Sequence, residues 1–282
     1  MTEAVPVLSL KERYRQVRRV TLVGSAVDLT LGVIKIAGGW LSHSQALIAD
    51  GVHSLSDLAT DVLVLYAAKH AHAEADEDHP YGHARIETAA TVGLGVALIF
   101  VSIGIVYDSV SRLLHADTLV VPESWAIGLA AISVVSKEAV YHYSMRYARS
   151  LNSDLLRANA WHSRSDAISS VVVIIGVCGA LLGYTYLDAV AALLVAIMIG
   201  KIGFDVAKSS VSELIDTGLD SDQLDDLRDT IQSVDGVENM HLLHTRRMAG
   251  RVLVDVHLII SDPRVSVSEG HKIRAPVRTV LM

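Results

Sequence analysis

The sequence predicts an all-α six-helix transmembrane domain followed by a small cytoplasmic α+β domain of αββα order. Three observations carry that prediction. The 282 residues are 51% hydrophobic and only 20% charged, with a mean hydropathy of +0.40, well to the apolar side of a soluble domain. Six long segments are apolar enough, or nearly so, to cross a bilayer, which takes about 20 residues each. After Asp216 the chain turns charge-dense and acidic, and helical periodicity gives way to strand alternation.

In chain order the six segments are Val20–Leu41, Gln45–Ala68, Ala84–Val110, Trp125–Tyr147, Leu155–Leu182 and Leu187–Val206. The first, third and sixth stand out by hydropathy, whereas polar groups in the second, fourth and fifth rank those lower. Small residues are frequent within them, as expected where membrane helices approach closely. Basic residues flank alternate links. Lys11, Arg13, Arg15, Arg18 and Arg19 precede the first span, Lys69 and Arg85 flank the second link, and Arg146, Arg149 and Arg157 flank the fourth. The intervening links "SHS" and "GYTY" have no Lys or Arg, and the third has only Arg112. This alternation predicts six spans with both termini in the cytoplasm. The expected division is a cytoplasmic lead-in at 1–19, a six-helix membrane domain at 20–215 and a cytoplasmic domain at 216–282.

In that last part, "SDQLDDLRDTIQSV" predicts an amphipathic helix with Leu224, Leu227 and Ile231 on one side. "DGV" turns the chain. "VENMHLLHTRRMAG" and "RVLVDVHLIIS" read as two strands, with Met-Ala-Gly as the hairpin connection. "SVSEGHKIRAPVRTVLM" begins a second helix, which Pro276 is expected to kink or shorten. The N-terminus lacks the apolar core and cleavage site of a signal peptide. No arginine stripe with interleaved aromatics supports nucleic-acid binding. The single cysteine, Cys178, lies in an apolar run and reads as packing.

The stretch "ADGVHSLSDLATD" holds Asp50, His53, Asp57 and Asp61 inside the second span. His53 and Asp57 are four residues apart, so they share one helical face. "ANAWHSRSDAISS" in the fifth span repeats the spacing with His162 and Asp166. One copy is explained by an intrahelical hydrogen-bonded pair. Two copies, each in a membrane span, point to an ion pathway, and two imidazoles with two carboxylates form a donor set suited to tetrahedral zinc. Asp50 is expected at a water-filled entrance and Asp61 beside Lys69 or at the polar end of the helix; neither is assigned as a ligand. Ser54, Ser56, Ser163 and Ser165 are expected to line the cavity or bond to backbone. The link "HAHAEADEDHPYGHARIE" clusters Asp76, His79 and His83 around Pro80 and Gly82, a metal-binding tract or a solvated acidic loop. The last domain adds His241, His244, His257 and His271, of which half or more read as surface residues.

The signatures "LIADGVHSLSDL", "RANAWHSRSD" and "HPYGHARIE", in this order and with six spans and a small terminal domain, resemble the cation diffusion facilitators over essentially the whole chain. The resemblance implies a divalent metal/proton antiporter, a secondary transporter and not an enzyme, and no His-Glu-x-x-His helix contradicts it. It implies a metallochaperone-like cytoplasmic domain and a homodimer in the lipid bilayer, here of a bacterial inner (cell) membrane. It places the transport site on His53, Asp57, His162 and Asp166, a loop site on Asp76, His79 and His83, and a cytoplasmic site on His241, His257 and His271. Zn2+ is the expected cargo and a regulatory ligand, with Fe2+, Co2+, Cd2+ and Mn2+ as alternatives; manganese prefers more oxygen donors. Because imidazole ordinarily titrates near 6.5, protons compete with metal at near-neutral pH. A non-transporting metal sensor or scaffold is the alternative class. Members of the family usually continue into a final strand, so the resemblance implies a small domain lacking that strand.

Overall fold

The computed structural model describes residues 10–70, 84–115, 119–151, 154–248, 251–260 and 264–280. Six long helices follow one another: α1 (Leu10–Leu41), α2 (Gln45–His70), α3 (Ala84–Leu114), α4 (Trp125–Ser150), α5 (Asp154–Leu181) and α6 (Tyr186–Leu214). The starts of α2, α3 and α4 coincide with the predicted spans. α1 begins ten residues before Val20 and α6 ends eight after Val206, because a helix does not stop where its apolar stretch stops.

Two compact units result, one built from the helical residues up to Leu65 and from Gly93 to Val206, the other from Tyr66–Val92 and Ala207 onward. In the first unit Ala46, Ala49, Ala126, Ala130, Ala191 and Ala192 sit at the buried helix contacts among Val173, Val177, Val195 and Ile199. Large apolar side chains point outward instead, including Val33, Phe100, Tyr107, Ile132, Val135, Ile175 and Ile197. An outside more apolar than its seams suits a bundle solvated by lipid, where small residues let helices approach. Among the described residues, α1, α3, α5 and α6 are long and apolar enough to cross a membrane. α2 and α4 carry more polar residues, of which His53, Asp57 and Lys137 are buried.

α1 and α2 meet at glycines. A Cβ on Gly51 would lie 2.9 Å from the Ile36 backbone nitrogen and 3.0 Å from the Gly32 carbonyl oxygen, so only glycine fits there. Asp188, near the start of α6, anchors the other end of α2. Its Oδ1 accepts the Ser44 hydroxyl at 2.7 Å and its Oδ2 the Gln45 N–H at 2.8 Å, which satisfies a donor of the first helical turn.

In the second unit, α7 (Ser221–Gln232), strands β1 (Val237–Met248) and β2 (Arg251–Ile260), and α8 (Val267–Val280) have the predicted αββα order. β1 pairs antiparallel with β2. Gly236 turns the chain into β1 at φ 89°. A register shift lies between His241 and His244, with Leu242 at φ 54°, so β1 is locally bulged. Ile231, Val234 and Val277 form the core, with Leu227, Met240 and Val256 packed against it. Pro276, expected to kink or shorten α8, lies inside it, and the helix continues to Val280. Val277, only 4% exposed, packs against Ile231 and Val234, and that burial holds the last turn despite the missing N–H.

Candidate metal site

His53 and Asp57 lie one turn apart on α2, and His162 and Asp166 one turn apart on α5. His53 Nε2 is 3.9 Å from Asp57 Oδ2 and 3.9 Å from Asp166 Oδ1. One ligand atom each from His53, Asp57 and Asp166 lie within 4.8 Å of one another, and all three residues are buried. His162 stands at the rim. Its Nε2 is 3.9 Å from Asp57 Oδ1 and 3.9 Å from Asp166 Oδ1, but its side chain is 54% exposed. The four residues therefore enclose one small space, closed by three and open past the fourth.

The space is chemically unsatisfied. Asp57 Oδ2, which faces His53 Nε2, is buried without a hydrogen-bond partner, as is His53 Nδ1 at the other side of the ring, an arrangement that costs free energy unless something else binds there. Metal bonds of about 2.0–2.2 Å in a tetrahedron set donor atoms roughly 3.3–3.6 Å apart, so donor atoms of His53, Asp57 and Asp166 within 4.8 Å of one another would have to close in around an ion. Ser56 and Ser163 turn their hydroxyls back onto the Val52 and Asn159 carbonyls, while Ser54 accepts from Lys35 at 2.9 Å.

Three charged residues that the motif does not contain complete the surroundings. Lys137 of α4 places Nζ 2.9 Å from Asp166 Oδ2 and 2.6 Å from Asp28 Oδ1 of α1. Lys35 of α1 lies 2.9 Å from Asp50 Oδ2, and the same carboxylate accepts hydrogen bonds from Ser169 and Ser170 of α5. Asp50 is therefore not at a water-filled entrance; it is fully buried and neutralised by an ammonium. The signal for Lys35, Lys137 and Asp28 was present in "SAVDLTLGVIKIAGG" and "SVVSKEAV". Ionisable residues inside spans mark paired or functional sites even without a motif around them.

The proposed loop residues Asp76, His79 and His83 lie outside the described residues. In the small domain His241 and His257 are cross-strand partners with ring centres 6.4 Å apart, both exposed. His244 pairs with Asp255 in the same ladder, and His271 lies on α8. Near the end of α6, Arg85 donates to the Asp216 carboxylate and the Leu214 carbonyl, and Thr88 donates to Glu213 at 3.0 Å.

A bundle of long apolar helices, followed by a small α+β unit, defines an integral membrane protein, and its buried carboxylates and imidazole form a group that could hold a metal ion. Residues 21–215 match the cation efflux transmembrane domain and residues 219–282 the cation efflux protein cytoplasmic domain. The chain belongs to the cation efflux family, the cation diffusion facilitators, whose members are transporters and not enzymes. It is 35% identical to Metal tolerance protein C1 of Arabidopsis thaliana, over 92% of this chain and 58% of that protein. It is 33% identical to Uncharacterized transporter MJ0449 of Methanocaldococcus jannaschii, over 95% and 94%. Manganese efflux system protein MneP of Bacillus subtilis is 29% identical, over 95% and 91%. The chain thus spans little more than half of the first of these and nearly all of the other two. The second matched domain carries a dimerisation module, as expected for a homodimer.

Proposed function

We propose that this protein exports a divalent metal cation, Zn2+ first, in exchange for protons by alternating access, with residues 20–215 as the transport domain and residues 216–282 as a cytoplasmic regulatory domain. The observation that carries the reading is the buried, unsatisfied cluster of His53, Asp57 and Asp166 with His162 at its open edge. Two nitrogen and two oxygen donors suit a tetrahedral ion, and net negative charge in a low-dielectric interior is offset by a cation. Loading from the cytoplasm needs the imidazoles neutral. Protons that arrive from the other side compete for the same nitrogens, release the metal and return with the rearrangement. The name of the Bacillus subtilis relative keeps Mn2+ as the second reading, and Fe2+, Co2+ and Cd2+ are tested alongside it.

The same reading places both termini in the cytoplasm of a bacterial cell membrane and has two copies pair through the small domain, where His241, His257 and His271 bind regulatory metal. Asp76, His79 and His83 are proposed as a loop site. Proteoliposomes with an imposed pH gradient test the mechanism. Zn2+ flux should follow the gradient and stop when it is collapsed, whereas flux indifferent to it removes the antiport. Exchanging the metal in the same vesicles ranks the cargo, and faster Mn2+ than Zn2+ transport would remove the zinc assignment.

A further inference from the structure

Lys137 belongs to α4, a helix that contributes no proposed ligand. Its side chain is fully buried, and its ammonium bridges α1 and α5 through Asp28 Oδ1 at 2.6 Å and Asp166 Oδ2 at 2.9 Å. The other oxygen of Asp166, Oδ1, faces His53 Nε2 and His162 Nε2 at 3.9 Å each. The two oxygens of one carboxylate are thus divided between an ammonium and the ligand cluster.

We propose that Lys137 is a positioning residue that sets metal specificity: by holding Oδ2 of Asp166 it confines that carboxylate to a single ligand oxygen. The inference rests on the reading of the four residues as the transport site. With Oδ2 held by the ammonium, two-oxygen binding by Asp166 is disfavoured, which takes one oxygen donor from the site. Ions content with four ligands, zinc and tetrahedral cobalt, are favoured. Ions that take more oxygen donors, manganese above all, are disfavoured. Partners of metal ligands commonly act this way, fixing which atom of a ligand faces the ion. Charge supports the same arrangement. Asp28, Asp57 and Asp166 against one ammonium leave a cluster of charge −2 when the imidazoles are neutral, which a divalent ion cancels.

A lysine that only tied α1, α4 and α5 together would, on removal, lower stability and slow every metal alike. The test uses the paired variant Asp28→Asn with Lys137→Met, which removes one charge of each sign and leaves the cluster at −2. In proteoliposomes of the full-length protein, Zn2+ and Mn2+ fluxes are measured for parent, paired variant and Asp57→Ala. The Mn2+-to-Zn2+ flux ratio is expected to rise about tenfold in the paired variant. A ratio equal to the parent's overturns the inference while Asp57→Ala is silent; Asp57→Ala that still transports brings down the site itself. The second measurement needs no variant: Co2+ bound to the parent protein should show the intense visible absorption of four-coordinate cobalt. A weak six-coordinate spectrum overturns the inference even where the paired variant does not fold.

Discussion

Lys35 and Asp50 form an ion pair of 2.9 Å between α1 and α2, with side chains 1% and 0% exposed. The pair is saturated. Asp50 accepts from Ser169 and Ser170 of α5, Lys35 donates to Ser54 at 2.9 Å, and Ser170 meets Ser133 of α4 at 3.0 Å. This network joins four helices one turn away from His53, where polar atoms are left without partners. The contrast lies in the balance of charge: Asp50 is matched by Lys35, whereas Asp28, Asp57 and Asp166 share the single ammonium of Lys137.

Breaking that pair should be severe. Lys35→Met leaves Asp50 as an unpaired buried carboxylate and is expected to cost about 3–5 kcal/mol, while Lys35→Met with Asp50→Asn should cost much less. Thermal unfolding in detergent measures both, and equal losses would show that the charges are not coupled.

The ligand cluster predicts a graded series. Asp57→Ala and Asp166→Ala should lower metal affinity by more than about 100-fold, since each removes a donor rather than the support of one. His162→Ala should be milder, because its half-exposed ring leaves room for water to replace it. Calorimetric titration of Zn2+ into each variant decides, and a loss for His162→Ala as large as that for Asp57→Ala would contradict the open edge.

Gly51 lets α1 and α2 approach closely on the helix that carries His53 and Asp57. Gly51→Ala pushes a methyl into the Ile36 backbone and should destabilise by about 1–3 kcal/mol. Lower transport with an unchanged melting temperature would show that the contact matters for motion and not for folding.

The small domain carries a pH-sensitive cap. Glu269 Oε2 accepts the Ser266 hydroxyl at 2.7 Å and the Ser266 N–H at 3.0 Å, while Ser266 Oγ accepts the Glu269 N–H at 3.3 Å, a capping box at the start of α8. The Ser266 hydroxyl, and then its N–H, hold the Glu269 carboxyl below its ordinary 4.5. A lowered folded pKa gives stabilisation that is present above 4.5 and lost as pH falls through the folded value. Acidification from 6 into that range should fray the first turn of α8 in the native protein, and Glu269→Gln should remove the pH dependence. Pulsed hydrogen exchange at fixed labelling pH reads the outcome; identical profiles for both proteins would exclude the cap.

Much of this molecule was legible in one dimension. Apolar length and alternating basic links predict the long helices, and the Leu224, Leu227 and Ile231 spacing predicts the buried face of α7, where Ile231 is fully covered. The two His-x-x-x-Asp pairs are readable because helical periodicity alone fixes which residues share a face. Pro276 does not end α8, because propensity is local and the next residue, Val277, is buried against the core of the small domain.

The sequence by itself determined the helices, the αββα order and the intrahelical pairing of each imidazole with its carboxylate, since these follow from spacing along one element. Only the tertiary structure decided that Lys137 takes Asp166 Oδ2, that Lys35 neutralises Asp50, and that His162 stands half-open while His53 is sealed in. A charge in an apolar interior is governed by what lies within a few ångströms of it, and residues 29 or 119 positions apart in the chain become neighbours only when the helices pack.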